Sequence, residues 1–359
     1  MEMKTIRAEL KILTECAGCG LCSEECQLLS ETEESPAEMA TRGVRIDEAF
    51  SCSLCGRCEI NCPIQLKPDE MFMARRIDAI DKEEFNPGDF DCFLPDEDDN
   101  IMALYRNHYD IDYDDLEVDE NSETAFFPGC TLLTYSPGLV REAFSQIRQQ
   151  CDCKQIITLC CGKPLDQLGM SKRKEEWNQR LIEQLKQLGV KRLIVGCPGC
   201  YYQLREVLLT LGIEIVTIYE VIQFEQSSKS KTICTLHDSC PDRFEGLFAG
   251  QVRNALCGAG FNIVEMERNR EKSPCCGSGG QLSHFRPDLA EELIEQRLKE
   301  VNKTGAGYLV AYCLSCVLNF SRDSSGFIVR HALNLLLNYD EDYIGIKGRV
   351  AQIYSDLKE

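Results

Sequence analysis

The feature that most constrains this chain is a five-cysteine pattern that occurs twice in its C-terminal two-thirds. Each copy has an isolated cysteine, then an adjacent Cys-Cys pair followed by glycine, then a Cys-x-x-Cys motif. The first copy consists of Cys130, Cys160, Cys161, Cys197 and Cys200. The second copy consists of Cys240, Cys275, Cys276, Cys313 and Cys316. Thiols that recur in one order at similar spacings indicate metal–sulfur clusters built in duplicate.

Two further cysteine runs near the N-terminus have the spacing of ferredoxin domains that hold two clusters. Both follow the pattern Cys-x-x-Cys-x-x-Cys-x-x-x-Cys, with Pro63 after the second run and Gln27 after the first. In such domains three close cysteines bind one [4Fe–4S] cube and the fourth reaches the other cube. We therefore predict one cube on Cys16, Cys19, Cys22 and Cys62. The second cube is predicted on Cys52, Cys55, Cys58 and Cys26.

Disulfides and zinc are the alternative uses of so many cysteines. A disulfide framework is disfavoured, because no apolar signal segment opens the chain and its 359 residues exceed the small scaffolds that need such bonds. Structural zinc fits the N-terminal runs poorly, since zinc sites pair two Cys-x-x-Cys units. Zinc in one of the C-terminal copies stays open as an alternative. Thiolate sites persist only when reduced, which predicts a cytoplasmic, anaerobic setting.

Size and charge narrow the classes of function. The chain is long enough for two or three domains, and it has no apolar run of about 18 residues that could cross a membrane. The net charge is −20, and the stretch 89–124 has 14 acidic residues against one arginine, Arg106. This stretch predicts either a docking surface for a basic partner or, preferably, a solvated linker that wraps the domains. Nucleic-acid binding is not expected, because it needs a basic face that is not evident.

The order of these motifs predicts an α+β multidomain protein. Residues 1–88 form a helical, ferredoxin-like module for two clusters, and residues 89–124 form an acidic linker. Two duplicated α/β domains follow at 125–228 and 229–345. Four β-rich runs lead toward the cysteine motifs, at 156–159, 193–195, 232–236 and 308–311. Amphipathic helices between such runs predict parallel sheets, whose carboxyl ends would bring the cysteines of both halves to one cleft.

The adjacent cysteine pairs are unusual, because a simple cube needs only four thiolates. A fifth thiolate permits bridging ligation, and so it predicts a cluster that is not a plain cube. Gly162 and Gly277 follow the pairs and let the backbone approach the sulfurs and donate N–H groups. The Gly-Ser-Gly-Gly sequence at 277–280 lacks the following lysine of a phosphate-binding loop.

At this point the motifs resemble a known family. The pattern Cys, Cys-Cys-Gly, Cys-x-x-Cys resembles the CCG domain of heterodisulfide reductase catalytic subunits. The N-terminal module resembles the electron-feeding subunit of the same enzymes, so the chain is similar to their fusion in the D-type subunit. The resemblance implies that each five-cysteine set given above holds a non-cubane [4Fe–4S] cluster. It also implies that a small disulfide is cleaved between these clusters, with each sulfur captured by an iron.

The resemblance and the demands of disulfide reduction together predict an oxidoreductase. Splitting a disulfide takes two electrons, and two adjacent clusters can each deliver one without releasing a thiyl radical. The N-terminal cubes would then carry single electrons from a partner. No flavin or nicotinamide motif is evident, and the family implies a flavoprotein or a membrane cytochrome b as that partner. The protein would be cytoplasmic, or peripheral at the membrane through its partner.

Two other classes of function remain beside this one. CCG domains also occur in electron-transfer subunits of flavin dehydrogenases for glycerol 3-phosphate, lactate or glycolate, which deliver electrons toward quinone. Two complete five-cysteine sets favour catalysis over such a relay. A scaffold with structural zinc would leave the ferredoxin runs unexplained.

Several residues beside the motifs have both a structural and a functional interpretation. His237 is predicted to hydrogen-bond a cluster rather than to donate a proton, and His331 is predicted to be structural. Lys163 is predicted either to pair with the negative charge of a cluster or of an anionic substrate, or to be exposed to solvent. Five cysteines lie outside the pattern, and those that flank a helix end, Cys151 and Cys153, are expected to be the most reactive. The five are Cys92, Cys151, Cys153, Cys234 and Cys257.

Overall fold

The protein is described from a computed structural model. The described residues are 2–116, 122–229, 231–322 and 326–356, and the side chains of 2–8 and 89 are not among them. The part of the predicted acidic linker at 117–121 therefore lies outside the described residues. No helix within these ranges is long and apolar enough to cross a membrane.

The N-terminal module is a small helical domain wrapped around its cysteine loops. Its helices are α1 Glu2–Glu15, α2 Gln27–Thr32, α3 Pro36–Arg42, α4 Ile46–Ser51, α5 Arg57–Asn61 and α6 Pro68–Asp81. The first cysteine run lies between α1 and α2, and the second begins after α4 and ends after α5. Ser35 and Glu38 form a capping box that fixes the start of α3. The buried side chains of Met39, Met71 and Phe72 fill the centre of this module.

The acidic stretch packs onto the first α/β domain. It contains the 3-10 helices Pro87–Phe93 and Asp114–Leu116, and between them the helix α7 Ile101–His108. Its apolar side chains Leu94, Ile101 and Tyr105 are buried in the same core as that domain. Arg173 binds Asp96 at 2.6 Å, and so part of the negative charge is neutralised inside the molecule.

Two α/β domains of matching topology form the rest of the fold. The first contains β1 Thr124–Phe127, α8 Cys130–Tyr135, α9 Pro137–Gln150, β2 Cys153–Ile156, α10 Lys163–Gln167, α11 Ser171–Gln187, β3 Arg192–Val195, α12 Pro198–Thr210, β4 Glu214–Thr217 and α13 Ile218–Val221. The second contains β5 Ile233–His237, α14 Leu247–Gly258, β6 Asn262–Ile263, α15 Leu282–Phe285, α16 Pro287–Thr304, β7 Tyr308–Ala311, α17 Leu314–Phe320, β8 Ile328–His331 and α18 Ala332–Leu336. Three 3-10 helices lie at Cys240–Asp242, Arg270–Lys272 and Gly279–Gln281, and the helix α19 Ile346–Asp356 follows the second domain.

Each domain has a four-stranded parallel sheet, with the orders β2-β1-β3-β4 and β6-β5-β7-β8. The predicted fold class, with a helical module and two duplicated α/β halves, is confirmed. In each sheet the second strand lies on one side of the first strand and the third strand lies on the other side, so the strand order reverses there. A crevice opens at such a reversal, at the carboxyl ends of β1 and β3 in the first sheet and of β5 and β7 in the second. The isolated cysteine and the Cys-x-x-Cys motif of each copy follow these central strands.

The strand predicted at 156–159 is wrong, because β2 covers Cys153–Ile156 and the chain then leaves the sheet. The edge position of β2 explains the error, since its Lys154 and Gln155 are only half-buried and give no apolar signal. The other three runs coincide with β3, β5 and β7 to within one residue. The apolar faces of α11 and α16 cover the sheets, with Leu181, Leu185, Ile294 and Val301 buried.

The N-terminal module is docked on the second domain through a loop of glycines. Gly280 has φ +58°, and a Cβ atom there would lie 2.4 Å from the carbonyl oxygen of Cys52. A Cβ atom on Gly279 would lie 2.5 Å from the carbonyl oxygen of Ser53. The loop 277–280 thus lies directly against the second cysteine run, which explains why glycine occupies both positions.

We expect Gly280→Ala to lower the free energy of unfolding by about 2–4 kcal/mol, since it combines a left-handed backbone with a backbone collision. The matched control is Gly212→Ala, where φ is +69° and no atom lies within 4 Å of the added carbon. The control isolates the conformational penalty, which is about 1 kcal/mol. Thermal unfolding of both variants measures the difference, and equal losses would contradict the close contact at Gly280.

Candidate metal centres

The two N-terminal cysteine runs are interleaved in space as two separate sites. One cavity of about 120 Å³, here called the outer site, is lined by the cysteines Cys16, Cys19, Cys22 and Cys62. A second cavity of about 50 Å³, here called the inner site, is lined by the cysteines Cys26, Cys52, Cys55 and Cys58. In each case the fourth cysteine of one run joins three cysteines of the other. Cys19 is exposed at the outer site, whereas no thiol of the inner site is exposed.

The inner site lies directly against the second domain. Cys275, the first member of the adjacent pair in that domain, lines the same cavity as the inner cysteines. Leu282 and Leu289 of the second domain share an apolar core with Met71 and Phe72 of the module. The outer cavity, by contrast, is lined only by residues of the N-terminal module. Any redox group at the inner site is therefore next to the second domain.

The first five-cysteine set assembles at the carboxyl end of its sheet. Cys130 begins α8 after β1, and Cys197 caps α12 after β3. The sulfurs of Cys130 and Cys160 lie 3.5 Å apart. Hydrogen bonds from Cys160 and Cys200 lower the pKa of Cys161 well below that of an ordinary thiol. Thiolate is the form that binds metal, so the chemistry of this set fits a metal centre.

The second set repeats this arrangement. The sulfurs of Cys316 and Cys276 lie 3.1 Å apart. Hydrogen bonds from Cys240 and Cys276 lower the pKa of Cys275 well below its ordinary value. The N–H of Gly277 also donates to the sulfur of Cys275, at 3.4 Å. Gly277 has φ +84° and Gly162 has φ +76°, so the turn after each cysteine pair has the left-handed backbone that glycine permits.

The two sets are joined into one series of ten thiols. Within each set neighbouring thiols influence one another's pKa, and Cys197 of the first domain and Cys313 of the second do so across the domain boundary. The series follows the order Cys130, Cys160, Cys161, Cys200, Cys197, Cys313, Cys316, Cys276, Cys275 and Cys240. Among the described residues, Cys275 of the second domain lines the inner site, and no residue of the first domain does. The series therefore runs from the inner site through the second domain into the first.

Both sets open onto one cleft of about 250 Å³ between the domains. Met102 of the acidic stretch, Gln167, Gln281, His284 and His331 also line this cleft. Lys163 is the cationic side chain among its lining residues. Burial opposes the charge on Lys163, but the thiols of both sets, foremost Cys240 and Cys161, raise its pKa above the ordinary value. The cleft therefore presents a stable positive charge beside the thiols.

His237 points at the second set from the end of β5. Its Nδ1 accepts a hydrogen bond of 3.1 Å from Nε of Arg297, which places the imidazole proton on Nε2. That buried Nε2 has no partner among the described residues, and a ring nitrogen of His237 lies within 4.8 Å of the sulfurs of Cys276 and Cys316. Burial lowers the pKa of His237 to about 3. The neutral ring can therefore donate a hydrogen bond toward this set, in the sense that the sequence predicts.

His331 has a role at the cleft that the sequence does not predict. Its Nδ1 caps α18 by accepting from the N–H of Leu333 at 3.3 Å, which is the predicted structural role. Its buried Nε2, however, has no partner among the described residues, and the side chain lines the cleft. The sequence does contain one indication of this position. His331 is the last residue of the parallel strand β8, just as His237 is the last residue of β5.

Burial disfavours the reactivity predicted for Cys151 and Cys153. Cys153 is buried in β2, and burial raises its pKa to about 12. Burial also raises the pKa of Cys151. Cys234 lies buried in β5, while Cys257 is exposed on α14 and far from the cleft lining. Raised thiol pKa values leave little thiolate at neutral pH, and so the two candidates are poor nucleophiles.

Comparison with known families agrees with this division of the chain. Residues 124–205 and 234–321 each match the cysteine-rich domain called CCG. Residues 15–67 match the 4Fe-4S dicluster domain. Fold, sites and matches together define an iron–sulfur oxidoreductase. More specifically, the chain joins a 4Fe-4S dicluster domain to two CCG domains, and over most of its length it is similar to the D subunits of heterodisulfide reductases.

Similar proteins from methanogenic archaea span most of the chain. The D subunit of the dihydromethanophenazine:CoB–CoM heterodisulfide reductase of Methanosarcina barkeri is 26% identical over 325 residues, which are 83% of this chain and 77% of that relative. Its counterpart from Methanosarcina mazei is 26% identical and covers 77% of this chain and 74% of its own length. The B subunit of the fumarate reductase (CoM/CoB) of Methanothermobacter marburgensis is 24% identical, over 87% of this chain and 68% of that relative. All three are subunits of larger reductases.

Proposed function

We propose that this protein reduces a small disulfide to two thiols with electrons from a partner subunit. The observation that carries the proposal is geometric: nine of the ten thiols of the two CCG domains line one common cleft. A simple relay has no need of two five-thiol sets facing a common cavity. A disulfide, whose two sulfurs must each be taken up, does need them. The heterodisulfide named for the similar D subunits agrees with such a reaction.

The proposed cofactors follow from the way the thiols are grouped. We assign a [4Fe–4S] cube to each of the outer and inner sites, and a non-cubane [4Fe–4S] cluster to each five-cysteine set. The N–H of Gly277 on sulfur and the free Nε2 of His237 suit an anionic sulfur cluster. When bound, these clusters supply single electrons and iron atoms that can bind sulfur.

The residues of the cleft then hold the substrate and balance its charge. A disulfide that gains two electrons and two protons yields two thiols, and the intermediate sulfur anions need a positive neighbour. Lys163 supplies that charge at the meeting point of the two sets. His237 has its pKa near 3, so at neutral pH it donates a hydrogen bond and has no imidazolium proton to give. Protons for the products therefore enter from solvent through the open cleft.

The partner delivers electrons at the outer site, where Cys19 is exposed. The inner site would receive them next, and a cluster held there would adjoin the second domain, because Cys275 lines the same cavity. Clusters held by the two five-cysteine sets would in turn be neighbours, because Cys313 and Cys197 influence one another's pKa across the domain boundary. A flavoprotein subunit or a membrane cytochrome b is the proposed donor, because both deliver single electrons.

Two measurements on one anoxically purified sample test this proposal. The metal content should be about 16 iron atoms per chain, from four clusters of four irons. With a reduced viologen dye and a panel of small disulfides, two thiols should form for each two electrons consumed. Thiols are counted by alkylation, and dye oxidation is followed by absorbance.

The outcomes separate the proposal from its alternatives. About 8 iron atoms with one or two zinc ions would show that the CCG domains carry structural metal. Full iron content without thiol formation, together with reduction of a quinone, would favour the electron-transfer subunit of a flavin dehydrogenase. Thiol formation at full iron content supports disulfide reduction.

A further inference from the structure

Arg76 is a fully buried arginine at the junction of all three domains. It extends from α6, and its guanidinium donates to five backbone carbonyls, so each N–H group has a partner. The acceptors are the carbonyls of Ala49, Phe50, Cys52, Gln167 and Gly280. Three of them belong to the N-terminal module, one to the first CCG domain and one to the second. The bond to Cys52, of 2.6 Å, reaches a cysteine of the inner site itself.

Within the described residues, no carboxylate pairs with Arg76. Arg243 has the same character on the other side of the inner loop. Its Nε donates to the carbonyl of Cys55 at 2.7 Å, one terminal nitrogen donates to the carbonyl of Glu271, and the other terminal nitrogen has no partner among the described atoms. A buried cation without a counter-ion is costly, so a negative group close to both arginines is to be expected.

The nearest candidates for that negative group are the thiolates of the inner site. A guanidinium keeps its proton in proteins, so Arg76 is a cation at neutral pH. The other charges around the cavity do not cancel the two arginines: Arg57 is paired with Glu25, and Asp69 faces Cys58 from the opposite side. Near the inner site, the carboxyl group of Asp69 is therefore accompanied by two guanidinium groups, those of Arg76 and Arg243, that have no carboxylate partner among the described residues. The residues that line the outer site include neither arginine nor lysine.

We propose that Arg76 and Arg243 hold the reduction potential of the inner iron–sulfur site above that of the outer site, and so direct electrons inward. A cluster held by four thiolates is an anion, and its reduction adds a further negative charge. A fixed cation in a dry environment favours that reduced form, because the attraction is weakly screened. The described residues that line the exposed outer site include no such cation, so this site should give up its electron more readily.

The same contacts decide where the electron goes next. Arg76 ties the inner loop to the carbonyl of Gly280, and Arg243 ties it to that of Glu271, so both bind it to the second CCG domain. Electrons drawn to the inner site therefore leave it beside Cys275. The inference rests on the ligand sets proposed for the outer and inner sites, and it is independent of the disulfide as final acceptor.

The test is a redox titration of the full-length protein, in which EPR spectra follow the two cubes. In the native protein the inner cube should be reduced at the higher potential. Arg76→Gln should lower the midpoint of the inner cube by at least a tenfold change in its reduction equilibrium, about 59 mV for one electron, and leave the outer cube unchanged. Arg76→Lys keeps the charge but can make only three of the five bonds, and its midpoint should stay close to native.

Matched variants separate charge from packing. Arg75 is the neighbour of Arg76 on α6, but it is paired with Asp78 and Glu84, so Arg75→Gln should shift neither cube. Arg243→Gln should also lower the inner midpoint, and it serves if Arg76→Gln does not fold. Equal midpoints in native and Gln variants, or an equal shift in Arg76→Lys and Arg76→Gln, would overturn the proposal. Absence of two cube signals from iron-loaded native protein would instead refute the ligand sets.

Discussion

Cys276→Ala is expected to lower disulfide turnover by about a hundredfold or more while the fold stays in place. Cys276 belongs to the adjacent pair and contacts the sulfurs of both Cys275 and Cys316. Its loss removes the thiolate that separates a five-thiol cluster from a plain cube, so the second cluster loses an iron or changes type. One sulfur of the substrate then has no iron to bind. Anoxic activity assays and EPR spectra measure the two effects.

Two companion variants make this test specific. Cys161→Ala removes the corresponding thiol of the first set and should have a similar effect if both clusters act on one substrate. Cys234→Ala removes a thiol that is equally buried but lies in β5 outside the pattern, and it should leave turnover near native. Full activity after the loss of either Cys161 or Cys276 would mean that the affected copy only relays electrons.

Cys55→Ala should abolish turnover with the natural electron donor but spare turnover with a small dye. Cys55 lines the inner site, and its thiolate is a proposed ligand of the cube nearest the second domain. Its backbone carbonyl accepts a hydrogen bond from Arg243. Without that cube electrons cannot pass from the outer site. A reduced viologen can reach the cleft directly, because the cleft is open to solvent.

The matched control for this experiment is Cys257→Ala, which alters an exposed cysteine of α14 far from the proposed route. It should support turnover with both donors. Parallel loss of dye-driven and donor-driven activity in Cys55→Ala, with all other clusters intact, would contradict electron entry through the N-terminal module.

The sequence predicts the fold class and the grouping of thiols because both depend on local patterns. Buried strands such as β3 and β7 are continuous apolar runs that end directly before a cysteine motif. Each of these strands pairs in parallel with its neighbours within its own sheet. Cys197 and Cys313 therefore follow the carboxyl ends of central strands, where the two sets meet at one cleft. The edge strand β2 is missed, because half-exposed polar residues resemble a loop.

The electrostatic environment of the sites could not be predicted, for a different physical reason. Arg76 acts through backbone carbonyls that lie 27, 91 and 204 residues away in sequence, and a carbonyl carries no residue-specific signal. Whether Nε2 of His237 or of His331 is free likewise depends on which ring nitrogen is hydrogen-bonded to another residue. Such features are set by tertiary packing alone.

The loops after the two cysteine pairs show that the duplicated halves are no longer interchangeable. In the first half Lys163 follows Gly162 and brings its charge into the cleft, whereas in the second half Ser278 and two glycines follow Gly277. Any side chain on Gly280 would collide with the N-terminal module. That module docks on one side of a symmetric pair, so under the proposed function the second half receives the electrons and the first half supplies the positive charge of the cleft. A chimera with the two loops exchanged is expected to lose both features, because Lys163 would leave its place in the cleft and side chains would meet the N-terminal module.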